Sequence, residues 1–589
     1  PCLTRRRLII GGSLIATLLL LTIWLTNSSS DDIELVPPDP EVQPPQSWSK
    51  LRTFKRGAVC ADGPPCALIG KLMLERKGSA VDAAIAALIC NGLANMQSMG
   101  FGGGFMMTIY DSQAKRAVIL NARDAAPAAA HSHMFKGLPK STSQVGGLAI
   151  GVPGELAGYW EAHQRYGKLP WADLFQPSID LCEKGYNLSK VQHEGLFHNS
   201  TKIHEDPTLR EIFVDPDSGE FHKPGSVIRP LKLCKTMRII AEKNATEFYN
   251  GTIGQMLVED IRKRGSIITM QDLNNYRAKW EEPETTQLYN GLNVYSAGVP
   301  GSGGLLLFIL NVLDEFNFTS NALSSINSTV LTYHRLIEVF KYAFGLRSHM
   351  GDSELPKFSK NLTSKPYARS VHSQVNDSRT WTEPTHYGAN FAEVSEDHGT
   401  AHISVISENG DAVSVTSTIN IYFGSGVVSE RTGVLLNDAM DDFSLPGAPN
   451  YFGLPPTESN YINPGKRPLT SMSPTIFTDH SGNVTLVIGA AGGTKIPTSL
   501  SYVIARHLWM GNTIKQAVDA PRIHHQLMPM EVSYEFGVPK PVINGLRALG
   551  HKTSRYRERG SVVCILAKKN DTILANADYR KGGDVYGID

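Results

Sequence analysis

Short runs that alternate polar and apolar residues, set among helical-period stretches and Gly/Pro loops, predict an α+β protein. Two observations carry this. Along Thr400 to Val405, Thr400, His402 and Ser404 fall on one face and Ala401, Ile403 and Val405 on the other, as side chains alternate with period two. After Asn409-Gly410 a second run repeats the pattern, with Ser414, Thr416, Thr418 and Asn420 opposite Val413, Val415 and Ile419, so the two read as a hairpin. The second observation is helical: Leu156 to Tyr166, Met256 to Arg264 and His334 to Arg347 return apolar residues near helical spacing, which suits helices covering a sheet.

The hairpin's register is specified by its faces. A two-residue loop at Asn409-Gly410 would pair Thr400 with Ile419 and set a polar face against an apolar one, because a one-residue slip flips every side chain. An odd loop matches the faces. The expected turn therefore has three or five residues and brings Thr418 or Asn420 beside Thr400.

Gly399-Thr400 stands at the entrance to this hairpin. A threonine hydroxyl attacks only when a base takes its proton, and the free α-amine of an N-terminal threonine is one such base. Cleavage at Gly399-Thr400 would create it. Glycine holds backbone angles barred to other residues and leaves its carbonyl open to attack. Taken alone, the pair reads equally as an ordinary turn before a strand.

From the start of the chain, Arg5-Arg6-Arg7 precedes an uncharged run from Leu8 to Thr26, enough to cross about 30 Å of hydrocarbon. The basic flank puts residues 1–7 in the cytoplasm, so the expectation is a single-pass type II cell-membrane anchor over 8–26 with the remainder extracellular. A cleaved signal peptide is the alternative. Residues 27–50 are rich in Pro, Ser and acidic residues and read as a stalk. Asn-X-Ser/Thr sequons at Asn27, Asn187, Asn199, Asn244, Asn250, Asn317, Asn327, Asn361, Asn376, Asn483 and Asn570 are expected glycosylation sites.

The formal charge is +1, from 57 basic and 56 acidic residues, which indicates neither a nucleic-acid partner nor a membrane-lying surface beyond the three arginines. A hydrophobic content of 41% over 589 residues gives ample core material, and no internal repeat divides it. Met99 to Phe105 is a glycine turn feeding the strand Met106 to Tyr110, and Pro300 to Gly304 opens the apolar run Leu305 to Leu313. Neither is a phosphate loop, as the Lys-Ser/Thr is missing. His193 and His198 are five apart, and the adjacent His524 and His525 lack a third ligand, so no metal site is expected.

Several motifs, in order, resemble one family. Gly399-Thr400, Thr416-Ser417-Thr418-Ile419-Asn420, Met440-Asp441-Asp442-Phe443, Pro464 to Leu469 and Gly489 to Thr494 resemble the γ-glutamyltransferase (γ-glutamyl transpeptidase) family, from about Cys60 to the C-terminus. The resemblance implies an N-terminal-nucleophile (Ntn) hydrolase fold, a four-layer α-β-β-α sandwich. It implies a catalytic unit that cuts itself at Gly399/Thr400 into a large chain, 51–399, and a small chain, 400–589, which stay together as a heterodimer. Thr400, assisted by its α-amine and oriented by Thr418, would then attack the γ-glutamyl amide of glutathione or its conjugates. Water, or the amine of an amino acid or dipeptide acceptor, would release the acyl-enzyme. No organic or metal cofactor is implied.

Site roles follow from the same motifs. Arg123, in Asn121-Ala122-Arg123-Asp124, matches the residue that grips the substrate α-carboxylate, work suited to a planar guanidinium; alone it reads as a surface charge or ion-pair partner. Thr470 and Ser471 match its helpers. Asp442 and Asn420 match the partners of the α-ammonium, although Asp441-Asp442 alone reads as a solvated turn. Gly492 and Gly493 match the backbone donors to the oxyanion. Cys66 and Cys90 match a family disulfide, whereas Cys60, Cys182, Cys234 and Cys564 stay unassigned.

Two positions depart from the family pattern. Thr470 stands where serine is usual, and Ala439 where many members carry an acidic or amide side chain that also contacts the α-ammonium. Loss of that contact costs about 1–3 kcal/mol of donor binding, which predicts a raised KM. Ala439 also supports an alternative, a surface glycoprotein of this fold that binds a partner without turnover. No G-x-S-x-G elbow supports a serine hydrolase.

Overall fold

The computed structural model describes residues 37–352, 361–389, 399–446, 457–556 and 560–589. Two seven-stranded sheets form its centre. Their strands, in chain order, are β1 (Arg52–Phe54), β2 (Gly57–Ala61), β3 (Gly104–Asp111), β4 (Arg116–Ala122), β5 (Lys279–Glu281), β6 (Glu284–Gln287) and β7 (Asn293–Ser296), followed by β8 (Gly399–Ile406), β9 (Ala412–Asn420), β10 (Thr475–Thr478), β11 (Val484–Ala491), β12 (Val562–Lys569), β13 (Thr572–Ala577) and β14 (Asp584–Ile588). One sheet runs β14-β2-β8-β9-β3-β4-β5 and the other β1-β13-β12-β11-β10-β7-β6. Both sheets therefore contain strands from before and from after residue 399.

Helices cover the outer faces. Ala401, Ile403, Val405, Val413 and Val415 pack into one core with the helices Cys66–Glu75, Ala80–Ala94 and Trp171–Lys184. On the far side, Phe477, Leu486, Ile488, Val563 and Ile565 pack with Gly303–Glu315, Ile326–Arg347 and Lys495–Leu508. A smaller cluster, including Ala58, Tyr110, Ile406, Ile476, Val487 and Leu566, fills the space between the sheets. The layers are helix, sheet, sheet, helix, as the resemblance implied. Local signals place the helices: Ser79 caps Ala80–Ala94 reciprocally with Asp82, satisfying two N–H groups that no helical turn can reach. The three stretches expected to be helical fall in Glu155–Tyr166, Thr252–Lys263 and Ile326–Arg347.

The β8–β9 hairpin has the odd loop that its faces require. Ile406 pairs with Ala412, and the Ser407 N–H donates to Asp411 O at 2.9 Å across the turn. Thr400 consequently pairs with Thr418, and a bulge at its start sets Gly399 opposite Asn420. Bulges re-aim side chains next to functional sites.

The expectation of a single-pass type II membrane placement is corrected. Among the described residues no helix is long and apolar enough to cross a membrane, and the run 8–26 on which the expectation rested lies outside them. The described part of the Pro/Ser-rich segment lies along the later half of the chain: Arg555 Nη1 reaches Pro37 O (2.7 Å) and Asp39 (3.0 Å), and Ser47 Oγ donates to Asp519 at 2.8 Å. Disulfides join Cys66 to Cys90 and Cys182 to Cys234, the second tying Trp171–Lys184 to Leu231–Lys243. Cys60 and Cys564 are free and buried. The sequon asparagines from Asn187 to Asn570 are exposed, apart from Asn199 and Asn244, which are half-buried; Asn27 lies outside the described residues.

Candidate active site

The site begins where β8 begins. Thr400, at 1% exposure, faces the opposite sheet, and its hydroxyl donates to Thr418 Oγ1 at 3.2 Å. Thr418 in turn donates to the Gly399 carbonyl oxygen at 2.5 Å. One hydroxyl thus touches both the candidate nucleophile and the carbonyl of the bond before it. The Asn420 N–H donates to the same Thr418 oxygen at 2.9 Å. Gly399 has no room for a side chain, as a Cβ would lie 2.4 Å from Asn420 O and 2.6 Å from Ile421 C.

Asn420 links this hairpin to the acidic turn. It sits at φ 79°, in the left-handed region that asparagine tolerates, and its Nδ2 donates to Asp438 O at 3.1 Å. Asp438 precedes the short helix Ala439–Asp442. Burial pushes the Asp438 carboxyl well above the usual range, against the pull of Lys202. Ala439 is buried and donates its N–H to Asn437 Oδ1 at 3.0 Å.

Arg123, at the end of β4, has 0% exposure and bonds Asp124 at 3.1 Å. Its other terminal nitrogen makes a very short ion pair with Asp442. The two groups that the resemblance assigns to opposite ends of an amino acid are therefore paired with each other. Arg123 Nε approaches Pro468 O at 3.5 Å, which brings it to the segment carrying Thr470 and Ser471. That segment is itself fixed, since Thr470 N donates to Pro300 O and Ser302 Oγ to Thr470 O, both at 2.8 Å. Burial raises Asp124 to about 7 despite Arg123, and Glu155, held by Tyr159 and Ser417, to about 8.

Gly492 and Gly493 form the turn between β11 and Lys495–Leu508, with φ of 128° and 56°. A Cβ at Gly492 would meet Ser561 Cα at 2.8 Å, so glycine answers both the angle and the close approach. Strand β11 crosses β8 at His402, whose ring would lie 2.0 Å from a Cβ at Gly489. Burial holds the His402 imidazole down to about 3. Its ring nitrogens bond Thr416 (2.8 Å) and Ser404 (3.0 Å), completing the polar layer between the sheets.

Two charged residues that sequence reasoning missed also touch this centre. Lys581 Nζ donates to Thr400 O at 2.7 Å and to Asp62 Oδ2 at 3.0 Å. Nothing in Arg580-Lys581-Gly582-Gly583 distinguishes it from a surface turn. One cluster has the residue types for a metal: donor atoms of His334, Glu338 and His551 lie within 4.8 Å of one another. Its groups are engaged elsewhere in the fold: His334 bonds His551 at 2.8 Å, and Glu338 accepts from the buried Lys341 ammonium at 3.0 Å. Lys341 fills the place of a cation.

A buried threonine at a strand start, a hydrogen-bonded carbonyl just before it and two stacked sheets between helices are the features of an N-terminal-nucleophile hydrolase fold. The family description Gamma-glutamyltranspeptidase matches residues 66–588. The chain belongs to that family, an enzyme family of γ-glutamyl hydrolases and transferases. It is similar to Scoloptoxin SSD14 of Scolopendra dehaani, 46% identical over 92% of this chain and 94% of that one. Glutathione hydrolase 2 of Arabidopsis thaliana is 37% identical over 90% and 93% of the two chains. Glutathione hydrolase 5 proenzyme of Rattus norvegicus is 36% identical over 92% and 94%. Among solved structures, a cephalosporin acylase from Bacillus halodurans covers 94% of this chain and 100% of its own, with TM-score 0.79 at 24% identity, which supports the fold.

Proposed function

We propose that this chain cuts itself at Gly399-Thr400 and then uses Thr400 to cleave the γ-glutamyl amide of glutathione and its conjugates. The observation that carries the reading is the Thr418 hydroxyl lying between Thr400 Oγ1 and the Gly399 carbonyl. In the uncut chain Thr400 Oγ attacks that carbonyl while Thr418 hydrogen-bonds its oxygen. The C–N bond breaks, the leaving nitrogen takes up the proton that the Thr400 hydroxyl gives up and becomes the new α-amine, and water hydrolyses the ester. Two chains result, residues 1–399 and 400–589, which act as one heterodimer.

In turnover the α-amine takes the Thr400 hydroxyl proton as Oγ attacks the γ-carbonyl, and returns it to the departing amine. The glutamyl ester is released by water as glutamate, or by an amino acid or dipeptide amine as a new γ-glutamyl amide. Substrate entry exchanges partners within the Arg123–Asp442 pair. The α-carboxylate takes Arg123, with Thr470 and Ser471, and the α-ammonium takes Asp442 and Asn420. Gly492 and Gly493 supply N–H groups to the oxyanion, a role that rewards fixed donors. Ala439 adds no acceptor for the ammonium, so an Ala439→Glu variant is expected to lower donor KM. The surface sequons are proposed as glycosylated.

Intact-mass analysis of wild type beside Thr400→Ala, with γ-glutamyl anilide release assayed on both, tests the reading. Two fragments meeting at 399/400 with turnover, both lost in the variant, are expected. A folded wild type that stays whole and inactive overturns it and leaves a binding protein.

A further inference from the structure

Thr400 is held from behind by an ion pair that bridges the two sides of the cut. Asp62 follows β2 and Lys581 precedes β14, neighbouring strands with Asp584 opposite Ala61. The backbone ladder between β2 and β8 begins only at Ala61 and Ile403. Beyond it, side chains replace backbone partners: the Lys581 ammonium takes the Thr400 carbonyl, and Asp62 Oδ2 accepts from the His402 N–H at 3.2 Å. Asn91 Nδ2 fixes the other Asp62 oxygen at 2.9 Å. Gly583 makes the approach feasible, since a Cβ there would lie 2.4 Å from Ala61 O. Lys581 and Asp62 are 3% and 0% exposed, where a charge survives only with a partner.

The geometry points to Lys581 as a positioning residue for the nucleophile: held by Asp62, its ammonium fixes the Thr400 main chain through the carbonyl oxygen and sets a positive charge on the residue that carries the α-nitrogen. This rests on the proposed role of that nitrogen as base. A free α-amine ordinarily titrates at about 7.7–8.0, which leaves much of it protonated at neutral pH. A neighbouring cation disfavours the ammonium form, and a neighbouring carboxylate favours it. Lys581 bonds Thr400 itself, whereas Asp62 bonds His402, two residues further on, so the cation acts on Thr400 more directly. The other charged or titratable groups around this strand end are His402, kept neutral by burial, the Cys564 thiol against the His402 carbonyl, pushed up by burial, Asp438 behind Asn420, and Arg123, which pairs with both Asp124 and Asp442.

The two members of the pair act in opposite directions, which separates this role from a structural one. The test compares kcat against pH for self-cut wild type, Lys581→Met and Asp62→Asn, using a γ-glutamyl anilide. Losing the cation raises the amine pKa, so the acid limb of Lys581→Met moves up by about one pH unit, with kcat roughly tenfold lower below it and KM little changed. Losing the carboxylate moves the limb of Asp62→Asn down. Lys581→Met leaves Asp62 buried alone and threatens folding, so the double variant Lys581→Met/Asp62→Asn, with no lone charge, is measured beside it. Its limb is expected above that of Asp62→Asn. Limbs that coincide with wild type, or shift the same way in both single variants, overturn the inference. Turnover surviving in Thr400→Ala would instead overturn the base on which it rests.

Discussion

The two faces of the β8–β9 hairpin are equally buried and held by different forces. Toward the helices, Ala401, Ile403, Val405, Val413 and Val415 pack at 0% exposure, stabilised by removal of apolar surface from water. Toward the other sheet, Thr400, His402, Ser404, Ser414, Thr416 and Thr418 are also within 1% of full burial. Their polar atoms are bonded across strands and sheets; Ser414 Oγ, for example, donates to Ile488 O at 2.9 Å. Burial alone does not distinguish core from site here. What differs is that one face tolerates any apolar shape of similar volume, whereas each hydroxyl on the other has an assigned partner whose loss leaves a buried polar group unsatisfied.

The sharpest break falls where the faces meet. Gly399→Ala puts a Cβ against Asn420 O and Ile421 C and is expected to abolish self-cutting, seen by mass as one chain; cutting at the wild-type rate would show that the approach is not needed. On the apolar face, Ile403→Ala is expected to cost about 2–5 kcal/mol of stability while leaving turnover per folded molecule intact. A thermal midpoint within a degree of wild type would contradict that. On the polar face, Thr418→Val keeps the shape and removes the donor. It is expected to slow self-cutting about 100- to 1,000-fold for about 1–3 kcal/mol of stability, so chemistry suffers more than stability. Comparable losses in both would erase the contrast between faces.

Near neutral pH the smallest expected effect is electrostatic, and it grows on acidification. His402 titrates at about 3 in the fold because burial disfavours its charge, against about 6.5 when unfolded. Between those values the unfolded chain binds a proton that the fold refuses, so stability falls as pH drops from about 6.5 toward 3, by at most about 1.4 kcal/mol per pH unit. His402→Gln is expected to flatten urea-measured stability over that window. An unchanged slope would mean that the imidazole is protonated in place.

The hairpin was legible because its physics is local: alternation sets the faces, and the faces exclude a two-residue loop. That argument leaves Thr418 or Asn420 beside Thr400, and the observed register selects Thr418. Arg123 and Asp442 needed the family likeness, since an arginine after a strand and an aspartate pair are commonplace, and their pairing across 319 positions is a tertiary fact. Lys581 and Asp62 carried no local signal, as their partners are 181 and 340 positions away. The Cys182–Cys234 bridge was equally closed to spacing arguments, for spacing alone does not select among the pairings that seven cysteines allow.

The interleaved sheets give the proposed cut a thermodynamic signature. While the chain is whole, refolding is a one-body event and its midpoint is independent of protein concentration. Once it is divided, β2 from one piece still lies between β14 and β8 of the other, and β1 edges a sheet whose next four strands come from the later piece. The native state barely registers the missing bond, but the unfolded state becomes two separate molecules. Refolding of the divided protein then follows a second-order law and its unfolding midpoint falls on dilution: the folded molecule keeps the order of a single chain that its denatured form can no longer restore by itself.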